Sequence, residues 1–305
     1  MQGIDVSKWQ GDVDFARVAA DGIELVYIRA GVGADYVDPR FRANAAGARQ
    51  NGMKTGFYHF VTADTAEEAR RQARFFVSIL SGQVSDGRLV MDLGAPASIG
   101  RARFNEVAQA FLEETEQVSG RETAVYTDLS RARDLFDEET ARGRVLWVAE
   151  YGVEEPSGSG VWPDWAGFQY TQRGRVSGID TYVDRDVFRE EILSGRTEPL
   201  PESERETEYT VARGDTLWKI AGRFGTTPEA VAERNGITDP NRIYEGQRLQ
   251  IPLGERAVCT YVVKKGDTLS GIAKSLGTTV SVLAGLNMIR NPDRIRTGQM
   301  LEYML

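Results

Sequence analysis

Residues 209–253 and 261–305 repeat one pattern, and this repeat constrains the fold of the chain more than any other feature. Shifting the sequence by 52 residues without a gap makes 21 of 45 positions identical. Such self-similarity is the signature of tandem modules. In each copy a short β-branched strand precedes two helical segments and a closing strand, which predicts a small βααβ (α+β) domain. We therefore expect domains at residues 208–253 (the first repeat) and 260–305 (the second repeat), joined by a short linker at 254–259.

Residues 1–193 alternate strand-sized apolar runs with helical stretches, which is typical of an α/β fold with a largely parallel sheet. The candidate strands are 3–6, 25–30, 54–60, 89–93, 123–127, 145–149 and 166–170, and the helical stretches include 41–51, 66–80, 102–117 and 130–141. After residue 145 the segments shorten and turn residues accumulate. We therefore predict an irregular (β/α) TIM-like barrel that finishes with strands only.

Composition also changes between the predicted barrel and the repeats. Residues 194–207 contain two prolines, many charges and little to bury, which is typical of a linker. Residues 1–207 carry 24 basic and 35 acidic side chains, whereas residues 208–305 carry 13 basic and 10 acidic ones. This asymmetry supports a domain boundary near residue 207.

Several classes of protein are excluded by composition. The single cysteine, Cys259, excludes an intramolecular disulfide, and with only His59 beside it no Cys/His metal site can form, so we expect neither a metal nor a cofactor. A net charge of −8 argues against a general nucleic-acid binder. The apolar runs are too short for membrane insertion. The sequence begins Met-Gln-Gly-Ile-Asp without a secretory signal, so we expect release by a holin, a phage particle or another non-classical route.

The repeats share a set of turn and helix-start residues. These are Gly-Asp-Thr-Leu at 214–217 and 266–269, Asn235 and Asn287, and Gly-Gln at 246–247 and 298–299. They resemble the LysM family, which implies binding of glycans that contain N-acetylglucosamine, such as peptidoglycan or chitin, in a shallow groove. Carried over by position, the groove residues are Gly214, Asp215, Thr216, Leu217, Asn235, Gly236, Ile237, Gly266, Asp267, Thr268, Leu269, Asn287 and Ile289. The alternative is that Asp215 and Thr216 only cap a helix and shape a turn.

In a (β/α) barrel the functional side chains lie at the carboxyl ends of the strands. This rule selects Asp5, His59, Asp92, and Glu150 or Tyr151. The aromatic residues near the predicted strand ends are Trp9, Tyr58, Tyr126, Trp147, Tyr151 and Trp162. Acids beside aromatic rings are typical of a groove that cleaves sugars, because rings stack on pyranoses and paired acids handle protons and the cationic transition state.

Motifs along residues 1–190 resemble glycoside hydrolase family 25, the Chalaropsis-type lysozymes. They are Gly-Ile-Asp-Val-Ser-Lys-Trp-Gln-Gly at 3–11, Tyr-Ile-Arg-Ala-Gly at 27–31, Gly-Phe-Tyr-His-Phe at 56–60, Val-Tyr-Thr at 125–127, Leu-Trp-Val-Ala-Glu-Tyr at 146–151, Gln-Tyr-Thr at 169–171 and Gly-Ile-Asp-Thr-Tyr-Val-Asp at 178–184. The resemblance implies cleavage of the β-1,4 bond between N-acetylmuramic acid and N-acetylglucosamine. It places Asp5 and Asp184 in the groove as acids, with Tyr58, Tyr126, Trp147 and Tyr151 as substrate-binding residues. The alternatives are that the two acids only make local hydrogen bonds at a strand end or turn, that Trp147 and Tyr151 belong to the core, and that His59 is a hydrogen-bonded structural histidine.

The catalytic signature of that family is Asp-x-Glu, and here it reads Asp92-Leu-Gly94. Residues i and i+2 of a strand face the same side, so both acids of the signature would point into the groove. In the family the Glu is taken to protonate the leaving oxygen, while the Asp steadies the attacking 2-acetamido group or acts in a direct or inverting mechanism. Because Gly94 has no proton to donate, we expect hydrolysis to be severely reduced or absent. Losing a positioned general acid typically lowers the rate by about 10²- to 10⁴-fold.

Three explanations of Gly94 stay open. The chain is a natural wall binder that does not hydrolyse, a single-base variant of an active enzyme, or an enzyme with a relocated acid. Glu150 is a poor substitute, because strand alternation directs it away from the groove. The expected partner is bacterial peptidoglycan, and the expected place of action is the bacterial cell wall, in the manner of an endolysin. The rival interpretations are a non-catalytic adhesion or virion structural protein, and a chitin-directed protein.

Overall fold

The computed structural model divides the chain into two compact units, Met1–Glu204 and Arg205–Leu305. It describes residues 1–94, 99–196, 198–200, 206–253, 258–276 and 294–304, together with positions 280, 283, 284, 287 and 289. None of the helices within these residues is long and apolar enough to cross a bilayer.

The first unit contains nine strands and six α-helices among its described residues. The strands are β1 (Gln2–Val6), β2 (Leu25–Val32), β3 (Tyr36–Val37), β4 (Lys54–Val61), β5 (Leu89–Leu93), β6 (Thr123–Asp128), β7 (Val145–Ala149), β8 (Gly167–Gly174) and β9 (Val183–Phe188). The helices are α1 (Phe15–Ala20), α2 (Phe41–Gln50), α3 (Ala66–Ile79), α4 (Arg101–Ser119), α5 (Leu129–Asp134) and α6 (Glu138–Ala141). Short 3-10 turns lie at Lys8–Gln10 and Glu190–Ile192.

Eight of these strands close into a barrel. Strand β1 pairs in parallel with β2 and antiparallel with β9, which joins the two ends of the sheet order β1-β9-β8-β7-β6-β5-β4-β2. Strand β3 only extends β2 as a short antiparallel partner. No helix separates β7, β8 and β9, so the barrel finishes with strands. The predicted α/β, TIM-like architecture is confirmed.

The lower half of the barrel is filled by aromatic rings that pack against glycines. Trp147, Tyr27 and Phe188 have ring centroids 4.9 to 5.3 Å apart. A Cβ atom at Gly56 would lie 2.3 Å from the Tyr27 ring, and one at Gly3 would lie 2.4 Å from Phe188. Glycine is therefore required where a large ring crosses the narrow barrel interior. This packed floor leaves space for a pocket only above it, at the carboxyl ends of the strands.

Several predicted boundaries differ from the structure. Strand β9 was not among the predicted strands, and the predicted helix 130–141 is divided into α5 and α6. Residues 198–200, assigned to the linker, belong to the first unit. Leu200 is 1% exposed and its backbone exchanges hydrogen bonds with the backbones of Gly82 and Gln83. The prediction was wrong there because one buried leucine anchors a stretch whose composition is otherwise that of a linker.

The second unit contains the two repeats. The first comprises β10 (Glu206–Thr210), α7 (Leu217–Arg223), α8 (Pro228–Arg234) and β11 (Arg248–Pro252), with β10 antiparallel to β11. The second comprises β12 (Val258–Val262), α9 (Leu269–Ser275) and β13 (Met300–Met304), with β12 antiparallel to β13. The βααβ prediction is confirmed for the first repeat. The second helix predicted for the second repeat falls mostly outside the described residues.

Candidate active site

The mouth of the barrel holds one pocket of about 220 Å³. It is lined by Asp5, Tyr58, Asp92, Tyr126, Trp147, Tyr151, Gln169, Gln172 and Asp184. The structure thus brings together the acids and aromatic residues that the family resemblance assigned to the groove, namely Asp5, Asp92, Asp184, Tyr58, Tyr126, Trp147 and Tyr151. Their roles in catalysis and substrate binding stay predictions.

Strand register explains why the acids converge. Asp5 on β1 stands directly opposite Asp184 on the antiparallel strand β9, so both side chains project from the same face of the sheet. Asp92 is paired with Tyr126 on the neighbouring strand β6. Because the strands alternate inward and outward positions, the carboxylates enter the barrel just above its aromatic floor.

Burial keeps these carboxyl groups protonated at higher pH than usual. The pKa of Asp92 is raised to about 7 by burial, against the opposing effect of Arg131 and Arg29. Burial also raises the pKa of Asp184 to about 6. The pKa of Asp5 is raised by burial and then by the nearby charge of Asp184. A pocket of crowded acids therefore holds protons near neutral pH.

Gln169 connects three of the pocket side chains. Its Nε2 donates to Asp5 Oδ2 at 2.8 Å, while its Oε1 accepts from the hydroxyls of Tyr126 at 2.8 Å and Tyr151 at 2.7 Å. These contacts fix the amide orientation and the two phenol rings. Sequence reasoning included Gln169 in a family motif but did not select it as a site residue.

Asp186 is a fourth acid that sequence reasoning missed. It is completely buried, and its Oδ1 accepts a hydrogen bond of 2.9 Å from Trp147 Nε1. Its Oδ2 has no hydrogen-bond partner among the described atoms. The pKa of Asp186 is raised by burial and then by Asp5. Its position two residues after Asp184 on the same strand was the signal that could have found it.

The cations near the acids are engaged elsewhere. Arg29 Nε and Nη2 lie 2.8 and 2.7 Å from Asp38 Oδ2, and Asp38 is fully buried. Arg131 Nη1 donates to the backbone oxygen of Leu93 at 2.9 Å. Asp92 is thus influenced at a distance by both guanidinium charges and Asp5 by that of Arg29, without a direct ion pair in either case. Among the described residues, no group of His, Cys, Asp and Glu is arranged to hold a metal ion.

Gly94 continues β5 past its assigned end, and its backbone N–H donates to the oxygen of Val61 at 2.9 Å. A Cβ atom added there would lie 2.4 Å from Cζ of Phe60, whose half-buried ring occupies the adjoining space. Glu150 does not fill this gap. Its carboxylate accepts from the backbone N–H and hydroxyl of Ser157 at 2.8 and 3.1 Å, outside the pocket.

Three residues considered for the groove lie elsewhere. His59 is buried beside Phe76 and Phe111 with its Nε2 2.7 Å from the oxygen of Gly33, and burial lowers its pKa to about 4. Trp162 is buried against Phe136. His59 therefore fits the structural alternative, a buried and hydrogen-bonded histidine, because its outward-facing position puts the ring in a packing layer outside the barrel. The expectation that Trp162 lies near the groove was wrong, because its loop position puts the ring in such a layer as well. Trp9 is 68% exposed and is absent from the pocket lining.

In the first repeat the signature polar side chains form internal contacts. Asp215 Oδ2 accepts from the Tyr209 hydroxyl at 2.6 Å and from the Ala212 N–H at 2.8 Å. Thr216 caps α7. Asn235 exchanges hydrogen bonds with the backbone of Gln250. These side chains shape the turns, so the capping alternative describes Asp215 and Thr216 well.

The second repeat reproduces the same contacts. Asp267 accepts from the Tyr261 hydroxyl at 2.8 Å and from the Lys264 N–H at 2.7 Å, and Thr268 caps α9. Asn287 Nδ2 donates to the backbone oxygen of Leu283 at 2.8 Å. The assignment of Leu217 and Leu269 to the groove was wrong, because both side chains lie in the cores of their repeats. Among the other groove candidates, Gly214, Gly236 and Gly266 are exposed, and Ile237 and Ile289 are half-buried.

Comparison with known proteins places these features in families. The model of glycosyl hydrolases family 25 matches residues 4–179, and the LysM domain model matches residues 209–252 and 261–302. An autolytic lysozyme of Clostridium acetobutylicum is 33% identical over 65% of this chain and 58% of its own length. Lysozyme M1 of Streptomyces globisporus is 31% identical over 62% of this chain and 67% of its own length.

Solved structures agree with the fold of the first unit. The crystal structure of the bacterial lysozyme from Streptomyces coelicolor has a TM-score of 0.53 and 28% identity, and it covers 62% of this chain and 92% of that one. The chain spans less than two thirds of the Clostridium relative. The family model nevertheless matches more than half of the whole chain, and two LysM domains follow the matched region. The chain belongs to glycosyl hydrolases family 25.

Proposed function

We propose that this protein is a peptidoglycan-targeting lysozyme (1,4-β-N-acetylmuramidase) of endolysin type that acts at the bacterial cell wall with severely reduced hydrolysis. A single observation carries the proposal. The pocket contains the acids Asp5, Asp92 and Asp184, but position 94 offers no side chain. Its relatives include proteins named autolytic lysozyme and endolysin, which supports action on the wall.

The pocket is suited to holding a sugar beside a carboxylate. The hydroxyls of Tyr126 and Tyr151 converge on Gln169, and Asp92 stands on the adjoining strand. In the ionised form Asp92 stabilises positive charge that develops at the anomeric carbon or on an attacking acetamido group. The leaving oxygen, however, needs a proton from a positioned acid, and Gly94 supplies none.

Restoring an acid at position 94 tests the proposal. We expect Gly94→Glu to release reducing ends from purified cell walls at least about 100-fold faster than the unaltered chain. Gly94→Ala is the matched control, because it also displaces the ring of Phe60 but supplies no proton. The Phe60 ring is half-buried, and the atom nearest the new side chain is Cζ at its tip. The ring can therefore rotate toward solvent to make room. Rapid turnover by the unaltered chain, with no gain in the Glu form, would contradict the proposal.

A relocated acid predicts a different result. If Asp184, whose pKa burial raises to about 6, donates the proton, the unaltered chain is active and Asp184→Asn abolishes its activity. The Gly94→Glu comparison then shows little gain.

A second candidate function is a non-catalytic adhesion or virion structural protein that holds wall glycan. The missing side chain at Gly94 favours it, because binding requires no proton donor. This candidate predicts that the unaltered chain and Gly94→Glu both bind purified walls and that neither releases reducing ends. A preference for chitin over peptidoglycan in both binding and cleavage would instead support the chitin-directed alternative.

A further inference from the structure

In both LysM domains the two turns predicted to frame the groove are held together by the same backbone hydrogen bonds. In the first repeat the N–H of Val211 donates to the oxygen of Gln247 and the N–H of Gly246 donates to the oxygen of Val211, both at 2.8 Å. In the second repeat the equivalent bonds join Val263 to Gln299 and Gly298 at 2.9 and 2.8 Å. These bonds hold the turn after the first strand beside the turn before the last strand. The rim of each groove is therefore formed by structurally equivalent positions.

One rim position differs in chemistry between the domains. Tyr244 is 68% exposed, and its backbone N–H donates to Gln247 Oε1 at 3.1 Å. Its counterpart is the exposed Arg296, whose N–H donates to Gln299 Oε1 at 3.0 Å. The same turn thus presents an aromatic face in the first domain and a guanidinium in the second.

The turn after the first strand is also more positively charged in the second domain than in the first. The exposed residues before the signature glycine are Ala212 and Arg213 in the first domain, and Lys264 and Lys265 in the second. Over the described parts of the two segments that frame the groove, the first domain has two basic and two acidic residues (212–216 and 242–247), while the second has four basic residues and one acidic residue (264–268 and 294–299). Lys219, which donates to the oxygen of Gly214, adds one cation to the first rim only and does not remove the difference.

We infer that the two LysM domains recognise different parts of the wall polymer: the first takes a neutral N-acetylated sugar face, and the second takes glycan that carries carboxylates. This inference rests on the proposed function and refines it. An exposed phenol ring stacks on the apolar face of a pyranose, as aromatic residues do in sugar sites. A cationic rim attracts an anionic polymer and steers it into the groove. Peptidoglycan offers both, since its muramyl stem peptides end in carboxylates.

Binding of the full chain to four substrates tests the inference. The substrates are chitin, intact peptidoglycan, peptidoglycan whose carboxylates have been converted to amides, and walls stripped of phosphate polymers. We expect Lys265→Ala/Arg296→Ala to weaken binding to intact peptidoglycan about fivefold and to leave chitin binding within about twofold. The control is Lys274→Ala, which removes an exposed cation of the second domain that lies on α9, outside both groove turns, and should change neither affinity. Tyr244→Ala should weaken chitin binding about tenfold.

The amidated peptidoglycan and the phosphate-stripped walls identify the recognised anion. They also distinguish failure of this inference from failure of the proposed function. On amidated peptidoglycan the loss in Lys265→Ala/Arg296→Ala should disappear. If it persists there but disappears on phosphate-stripped walls, the recognised anion is a phosphate and the inference is wrong. Equal affinities of the variant and the unaltered chain for intact peptidoglycan would also overturn it. Failure of the unaltered chain to bind any of the four substrates would instead refute the proposed function itself.

Discussion

Replacing Asp92 by Asn should stabilise the barrel at neutral pH and leave it almost unchanged at acidic pH. Burial raises the pKa of Asp92 from 3.8 to about 7. Between these values the folded protein keeps the proton that the unfolded chain has released, so the stability of the unaltered protein falls as the pH rises. Asn mimics the neutral carboxyl and is free of this penalty.

The magnitude follows from the same shift. A difference of about three pKa units corresponds to about 4 kcal/mol. The carboxylate lines an open pocket, where water screens part of this effect, so we expect a gain of about 2 to 4 kcal/mol for Asp92→Asn at pH 8. The gain should shrink to near zero at pH 4. Removing the Asp92 charge also relieves Asp5, whose pKa that charge helps to raise.

Urea unfolding of the full chain at pH 4, 5.5, 7 and 8 measures the effect. Four of the five tryptophans precede residue 194, and a Trp218→Phe background leaves fluorescence that reports the first unit alone. Asp180→Asn, at an exposed position outside the pocket, is the control and should not change the pH dependence. If Asp92→Asn destabilises the barrel equally at pH 5.5 and pH 8, the ionised carboxylate is stabilised by its surroundings and our reasoning is refuted.

Other substitutions test contacts inside each of the two units. Asp38→Ala should cost about 3 to 5 kcal/mol in urea unfolding at pH 7, because it leaves Arg29 charged and largely buried; a loss below 1 kcal/mol would contradict the ion pair. Trp147→Phe should cost about 3 kcal/mol in the same assay, since it leaves both oxygens of Asp186 without a described partner; an unchanged midpoint would exclude that role. Thr216→Ala should cost about 1 kcal/mol, measured in thermal unfolding by the second unit's single tryptophan, and Thr216→Ser should restore most of it.

Local pattern was sufficient to predict most of the barrel and the acids at its mouth. Runs such as 89–93 combine apolar residues, strand length and flanking turn signals, and β5 occupies the same residues. Alternation then determines which side chains enter the barrel, so the amino-acid sequence alone is enough to assign Asp5, Asp92 and Tyr126 to one pocket. The resemblance to a family supplied Asp184, which follows a loop without clear periodicity.

Contacts between distant segments could not be predicted in the same way. Gln169 became a site residue because its amide meets Asp5 across 164 positions, the hydroxyl of Tyr126 on β6 and the hydroxyl of Tyr151 in the loop after β7. Asp186 is part of the site only because β9 runs antiparallel beside β1, and β9 itself was missed since its sequence carries three charged residues among its six. The burial of Leu200 likewise depends on a tertiary contact with the turn at residues 82–83.

The crowded acids at the barrel mouth are better explained by ligand binding than by stability. The charge of Asp184 raises the pKa of Asp5, and the charges of Asp5 and Asp184 raise the pKa of Asp186. The guanidinium of Arg29 is bound to Asp38 instead of to them. Amides at these positions would still accept hydrogen bonds but would remove the repulsion, so the negative charges themselves add nothing to the stability of the folded protein. A bound sugar would change this balance, because its hydroxyls and acetamido N–H can donate to the carboxylates of Asp5, Asp92 and Asp184 that line the pocket. Gly94 offers no proton donor beside this pocket, whereas the acceptors of the pocket are present. The chain should therefore bind glycan without cleaving it efficiently.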